Sequence, residues 1–172
     1  MPLISLTTRI AAPWERVFDL ARSIDAHQTS TEHTHERAIA GITSGLIGLG
    51  QEVTWEARHL GVRQRLSVRI TTMNRPEHFQ DVMVKGPFKR MVHDHIFKSI
   101  ADGTEMTDRF DFSSPFGLLG WFVDTAFLRD YMVRLLRQRN ACLKRLAESD
   151  DWKAYLPDAN VDGAVNQSAH SK

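Results

Sequence analysis

The segment QEVTWEARHLGVRQRLSVRI, residues 51–70, constrains the fold of this chain more than any other stretch. Apolar and polar residues alternate on both sides of Leu60-Gly61, a pattern typical of two antiparallel strands joined by a short turn. The pairs predicted across this turn are Val53–Val68, Trp55–Leu66, Ala57–Gln64 and His59–Val62 on one face, with Glu52–Arg69 and Glu56–Arg65 on the other. Opposite charges that face each other across two strands contribute up to about 1 kcal/mol. Because the apolar and charged patterns agree on one register, we predict an antiparallel sheet.

A second hairpin is predicted in MVHDHIFKSIADGTEMTDRFDF, residues 91–112. Asp-Gly between alternating runs is a strong turn signal, so we place the turn at Asp102-Gly103. The pairs predicted on its inner face are His93–Phe112, His95–Phe110 and Phe97–Asp108. In this register His95 and Asp108 are diagonal neighbours, which lie about 7–8 Å apart and remain within side-chain reach.

The inner face of the second hairpin carries polar residues where a solid core would take Val or Ile. His93, His95 and Asp108 all lie on it, and burying an unpaired polar group costs about 1–3 kcal/mol. A cavity that holds water or the polar end of a ligand tolerates such residues, so we predict a cavity here. The alternative is a structural network in which His95 bonds Asp108 and the other polar residues are solvated.

The remaining segments predict further strands and one long helix. Leu3 to Ile10 alternates as a strand, Pro13 begins a short helix, and residues 24–36 are polar and irregular. RAIA is a short strand, and EHFQDVMVK is a strand of ambiguous phase. The last helix has one apolar stripe, formed by Leu128, Tyr131, Met132, Leu135, Cys142, Leu143 and Leu146.

Hairpin-connected strands and a helix with one apolar stripe bury their apolar faces against each other. The predicted fold class is therefore α+β, a curved antiparallel sheet wrapped around a long C-terminal helix. We predict a single domain over residues 1–148. Residues 149–172 are polar and aperiodic, and we expect this C-terminal tail to be largely disordered.

Composition excludes several classes of function. The chain has 172 residues with 22 basic and 21 acidic side chains, a balance that gives no drive toward nucleic acid. Its single cysteine, Cys142, rules out an internal disulfide and is consistent with a reducing compartment. The most hydrophobic segment, PFGLLGWFVDTAFL, is shorter than the ~20 residues that span a bilayer. The N-terminus has no signal-peptide pattern, so we expect a cytoplasmic protein.

The order of elements and several strings resemble the SRPBCC superfamily, whose helix-grip fold is shared by START lipid-binding domains, pollen-allergen-like proteins and polyketide cyclase/dehydrase domains. RIAAPWERVFDLA resembles the family's opening strand, proline and short helix. ERAIAGITSGLIGLGQEVTWEARHLGVRQRLSVRI, GPFKRMVHDHIF and DRFDFSSPFGLLGWFVDTAFLRDYMVRLLRQRN are similar to a bacterial subgroup of stand-alone members. The resemblance covers Leu3 to about Leu146, and it implies a deep cavity between sheet and helix that holds an apolar or amphipathic small molecule.

Two functions are compatible with such a cavity. The first is binding of a hydrophobic or amphipathic molecule such as a lipid, quinone, isoprenoid or polyketide. The candidate ligand-binding residues are Trp55, His59, Gln64, Leu66, Val68, Asp81, Met83, His93, His95, Phe97, Asp108, Phe110, Phe112, Tyr131 and Leu135. The alternative is a polyketide cyclase or dehydratase, in which His93 or His95 would transfer protons and Asp108 would orient the imidazole.

Three other features each have both a functional and a purely structural interpretation. His93 and His95 are two residues apart on one strand and point the same way, as histidines that bind a metal from a strand do. His59 or Asp108 could supply a third ligand. The spacing is not specific to metal sites, and we predict no metal and no cofactor. The basic side of the last helix is predicted to face solvent, with transient docking to an anionic membrane as the alternative; it comprises Arg129, Arg134, Arg137, Arg139, Lys144 and Arg145. Residues 116–122 either close the cavity mouth as a lid or pack against the end of the sheet. The sequence predicts no oligomeric state.

Overall fold

The computed structural model describes residues 3–59, 61–113 and 127–156. The strands of the described chain are β1 Leu3–Ile10, β2 Arg37–Gly41, β3 Glu52–His59, β4 Val62–Asn74, β5 His78–Lys85, β6 Arg90–Ile100 and β7 Gly103–Ser113. The α-helices are α1 Trp14–Ala21, α2 Ile24–Ser30 and α3 Arg129–Glu148, with 3-10 turns at Glu32–Thr34 and Asp150–Ala154. The turn residue Leu60, the predicted lid and residues 157–172 lie outside the described residues.

The strands form one antiparallel sheet in the order β1-β7-β6-β5-β4-β3-β2. Helix α3 packs against β1, α1 and α2, and α1 also contacts β6 and β7. The buried apolar residues of α3 include Leu136, Leu143 and Leu146, because residues three, four and seven apart share one face of a helix. The fold is α+β of the helix-grip type, as the sequence predicts.

The predicted register of the first hairpin is confirmed. Val53 pairs with Val68, and Glu56 pairs with Arg65, whose Nε donates to Glu56 Oε2 at 2.9 Å. The two patterns that fixed the register therefore both operate in the folded protein: apolar residues face the interior, and opposite charges meet on the outer face.

The predicted register of the second hairpin is wrong by two residues. His95 lies directly opposite Asp108, His93 opposite Phe110 and Phe97 opposite Met106. The turn is Ala101-Asp102, since Gly103 is already the first residue of β7 and has a φ of 138°. A side chain at Gly103 would come within 2.2 Å of the Ile10 carbonyl oxygen, so this glycine permits close approach to β1. An even-numbered shift keeps every side chain on its predicted face.

Two segments predicted to be irregular are ordered. Residues 24–30 form α2, because Ser23 caps its first turn by accepting a hydrogen bond from the Ala26 amide at 3.3 Å. The tail boundary predicted at Ser149 is too early. A 3-10 turn follows, in which Trp152 is buried and its ring lies 4.3 Å from the guanidinium of Arg16. Leu156 is also buried, so residues beyond Ser149 pack against the domain.

Candidate functional site

A cavity of about 450 Å³ lies between the sheet and helices α2 and α3. Most of its wall is apolar, because the inward-facing residues of β3 and β4 and the stripe of α3 converge on it. The principal apolar lining residues are Ile24, Val53, Trp55, Leu66, Val68, Ile70, Met132 and Leu136. Such a volume and lining are typical of small-molecule sites, which are about 300–1,000 Å³ and mostly apolar.

Most of the residues predicted to bind a ligand lie in the cavity wall. The lining residues among them are Trp55, His59, Gln64, Leu66, Val68, Asp81, His93, His95, Phe110, Tyr131 and Leu135. Four others lie behind the wall. Phe97 packs against Phe18 of α1 with ring centroids 5.2 Å apart, and Phe112 packs against Phe88 at 5.5 Å.

The other two of these four are Met83 and Asp108. Met83 is partly buried against the core. Asp108 is fully buried, behind the histidines that face the cavity. The inner face of the sheet is therefore wider than the cavity, and neighbouring side chains cover its margins.

Four polar side chains from β5, β6 and β7 form one cluster at the cavity wall. His93 Nε2 lies 3.0 Å from Asp108 Oδ1, and His95 Nε2 lies 3.0 Å from Asp81 Oδ1. The second nitrogen of His95 is also 3.0 Å from Asp108 Oδ1, and that of His93 is 3.9 Å from Asp81 Oδ1. Each imidazole is thus bracketed by two carboxylates, one at the cavity wall and one in the core.

Helix α3 completes the cluster from the opposite side. Asn140 Nδ2 donates to Asp108 Oδ2 at 2.6 Å, and Arg139 Nη1 lies 3.5 Å from Asp108 Oδ1. Arg139 was predicted to face solvent, but it is buried, lines the cavity and donates to the carbonyl of Ala21. Its spacing of four residues from both Leu135 and Leu143 places it on the apolar stripe, and this signal was available in the sequence.

Aromatic packing fixes the orientation of both imidazoles. The ring of Phe79 stacks on His95 with centroids 4.2 Å apart, and Phe110 meets His93 edge-on at 5.1 Å. The two imidazole centroids are 3.8 Å apart. Aromatic rings therefore pack against both imidazoles, and hydrogen bonds to the neighbouring carboxylates hold them in place.

The cluster has a defined charge distribution. Burial would raise the pKa of Asp108, but the hydrogen bond from His93 and the close approach of His95 hold that pKa well below its usual range. Burial and the neighbouring His95 lower the pKa of His93. Burial would also lower the pKa of His95, but Asp108 and Asp81 outweigh it and raise that pKa. The pKa values of the two imidazoles are therefore shifted in opposite directions beside a carboxyl group of strongly lowered pKa.

A second polar group lines the cavity between α2 and β3. His27 Nε2 lies 2.8 Å from Glu36 Oε1, and the His27 ring stacks on Trp55 at 4.2 Å. His59 Nδ1 lies 2.9 Å from the hydroxyl of Tyr131, and burial lowers the pKa of His59. The sequence predicts that His59 belongs to the same polar set as His93 and His95. In the structure it instead forms a hydrogen bond with Tyr131 of α3.

The comparison with protein families decides the classification of this chain. Residues 1–148 match the family model described as polyketide cyclase / dehydrase and lipid transport. The chain belongs to this family. The SRPBCC resemblance predicted from the sequence is thereby confirmed, and the match spans every strand and α-helix described above. Comparison with curated proteins gives no significant match.

Several solved structures share this fold. TTHA0849 from Thermus thermophilus superposes with a TM-score of 0.69 at 16% identity, covering 84% of this chain and 95% of that one. CV1439 from Chromobacterium violaceum gives 0.69 at 15% identity, covering 87% of this chain and 100% of that one. A START superfamily protein from Mycobacterium smegmatis gives 0.64 at 11% identity, with 84% and 98% covered.

The described helices of this family member lack the properties of a membrane span. None of them is both long enough and apolar enough to cross a bilayer. The longest, α3, has its charged residues distributed along the whole of its length.

Proposed function

We propose that this protein binds a hydrophobic or amphipathic small molecule, such as a lipid, quinone, isoprenoid or polyketide, in the cavity between the sheet and α3. The observation that carries the proposal is a cavity of about 450 Å³ whose mostly apolar wall is interrupted by polar groups at two places, around His93 and His95 and around His27 and His59. An apolar body would lie against Trp55, Leu66 and Val68, and a polar end would face His93 and His95. A cytoplasmic carrier of this kind would contact membranes transiently and would not bind nucleic acid.

Burial energetics favour this arrangement. Contact with the wall removes apolar surface of the ligand from water, which contributes about 25 cal/mol per Å². Polar groups of the ligand lose their water when they enter the cavity, and the polar cluster would form hydrogen bonds with them. A buried polar group of the ligand left without such a partner would cost about 1–3 kcal/mol. The cavity therefore favours mostly apolar molecules whose few polar groups can reach a polar part of its wall.

Native mass spectrometry of freshly purified protein tests the proposal. We expect a population of the protein that carries added mass, and organic extraction followed by mass spectrometry should recover that molecule. Ala57→Phe would fill part of the cavity from its wall and should abolish ligand retention. Arg58→Phe places the same ring on the exposed outer face of the same strand and should leave retention unchanged.

The outcome that contradicts the proposal is equally specific. If added apolar probes such as fatty acids or quinones bind equally to wild type, Ala57→Phe and Arg58→Phe, the molecules bind elsewhere and the cavity is not a ligand site. Circular dichroism of both variants confirms that each has folded before the comparison is made.

A polyketide cyclase or dehydratase activity is the second candidate, and the polar cluster favours it. His93 and His95 reach the cavity, while Asp108 lies behind them, hydrogen-bonded to His93 and 3.0 Å from His95 Nδ1. A histidine oriented by a buried carboxylate can act as a general acid or base. In an enzyme His95→Gln would abolish turnover of a polyketide-like substrate, whereas in a carrier it would only weaken retention of an apolar ligand.

A further inference from the structure

Asp81, His93 and His95 form a compact set of ligand-type side chains at the cavity wall. One ligand atom from each lies within 4.8 Å of the other two, and all three residues line the cavity. Asp81 Oδ1 is 3.0 Å from His95 Nε2 and 3.9 Å from His93 Nδ1. Zinc–ligand bonds of about 2.0–2.2 Å in a tetrahedral site put neighbouring ligand atoms about 3.4 Å apart. The observed separations lie on either side of that value.

Asp108 supplies the support that metal-binding histidines need. A histidine that binds a metal through one ring nitrogen almost always donates its other N–H to a carboxylate, a carbonyl or water. Asp108 Oδ1 lies 3.0 Å from His93 Nε2 and 3.0 Å from His95 Nδ1. Both imidazoles consequently have their remaining nitrogen on the side of Asp81 and the cavity.

Hydrogen bonding alone leaves this cluster incompletely satisfied. A neutral imidazole has one N–H and one lone pair, so an imidazole between two carboxylates turns its lone pair toward one of them. In the described residues His95 Nδ1 lacks a well-aligned hydrogen bond despite its closeness to Asp108. A cation held by Asp81 and the two facing nitrogens would fix the N–H of each ring toward Asp108.

We propose that Asp81, His93 and His95 bind a divalent transition-metal ion such as Zn²⁺, with one coordination position open toward the cavity. Two histidines and one carboxylate form the ligand set of metal sites that keep an open position for water or substrate. Arg139 Nη1 lies 3.5 Å from Asp108 Oδ1, and Asp81 provides the negative charge among the three ligands. Packing of Phe79 and Phe110 holds the rings in place.

Titration of the untagged, EDTA-treated wild-type protein with Zn²⁺ alone tests this inference. We expect one saturable site per chain by calorimetry, and loss of that site in Asp81→Asn, His93→Gln and His95→Gln. Asp108→Asn should weaken the affinity by about 10–100-fold, as removal of a hydrogen-bond partner of a ligating histidine does. Since the titration uses metal alone, its failure would leave the proposed ligand cavity untouched.

Two control variants exclude surface histidines. His78 forms a single pair with Asp94, at 2.8 Å between His78 Nε2 and Asp94 Oδ1, on the same two strands but outside the cavity wall. The double variant His33→Gln/His35→Gln removes the other closely spaced histidines. Neither His78→Gln nor the double variant should change the Zn²⁺ affinity.

A measurement on wild type keeps the inference testable if a cluster variant does not fold. X-ray absorption of the Zn²⁺-loaded protein should show scattering from two imidazole ligands. Absence of a stoichiometric site, fewer than two imidazoles at the metal, or a site removed by His33→Gln/His35→Gln and retained in the folded cluster variants would each overturn the proposal.

Discussion

Asp108 is predicted to be among the residues on which the stability of this fold depends most strongly. It is fully buried, and its two oxygens accept hydrogen bonds from His93 Nε2 at 3.0 Å and Asn140 Nδ2 at 2.6 Å. Arg139 Nη1 stands 3.5 Å away and contributes a buried positive charge. Asp108→Asn keeps the shape of the side chain but removes its charge, so the buried Arg139 loses the carboxylate that lies 3.5 Å from it.

The size of this effect follows from the contacts. A hydrogen bond to a charged group contributes about 1.5–3 kcal/mol, and removing one partner of a buried ion pair costs about 3–5 kcal/mol because the other charge is left uncompensated. These contributions overlap because they share one carboxylate. We therefore expect Asp108→Asn to lower the free energy of unfolding by about 3–5 kcal/mol.

Urea unfolding at pH 7 in EDTA, followed by circular dichroism, measures the change. Asp111→Asn is the matched control, because Asp111 lies on the same strand and pairs with Arg90 at the half-exposed outer face. Loss of such an exposed pair should change the stability by less than about 1 kcal/mol. If Asp108→Asn is no more destabilising than Asp111→Asn, the buried carboxylate does not hold the two imidazoles and Arg139 together, and the charge distribution described here is wrong.

Three further predictions concern the stability of residues outside the polar cluster. Burial would raise the pKa of Asp19, but hydrogen bonds from Arg75 and Arg22 lower it below 3.8, so Asp19→Asn should destabilise by about 1–2 kcal/mol at pH 7. This difference should disappear as the pH falls through the folded-state pKa, which urea unfolding at pH 7 and at low pH would show. Gly103→Ala should destabilise strongly, since its Cβ would lie 2.2 Å from a β1 carbonyl; an unchanged melting temperature would contradict this. Trp152→Ala should cost about 3–5 kcal/mol, and a loss below about 1 kcal/mol would show that the segment after Ser149 is dispensable.

Local patterns predicted the parts of the fold in which the determining residues are close in the chain. The register of the β3–β4 hairpin followed from two independent alternations over residues 52–69, and the structure confirms it. The Asp-Gly signal at residues 102–103 misplaced the next turn, because contact with β1, far away in the sequence, uses Gly103 for close approach. Tertiary contact therefore overrode local turn preference at that hairpin.

The candidate site shows the same division between local and long-range information. His93, His95 and Asp108 were identified because their alternation places polar side chains on an inner face, and that face is preserved in either register. The remaining member of the cluster is Asp81. Its strand shows no clear alternation, so the sequence does not indicate which of its residues face inward. In the structure, the regular β5–β6 pairing sets Asp81 opposite His93, while bulges interrupt the β4–β5 pairing on the other side of β5. A bulge leaves little trace in a sequence, since it inserts one residue without changing composition. The approach of Asp81 to the two histidines depends on which residues of β5 and β6 pair, and the histidine spacing alone does not specify that pairing.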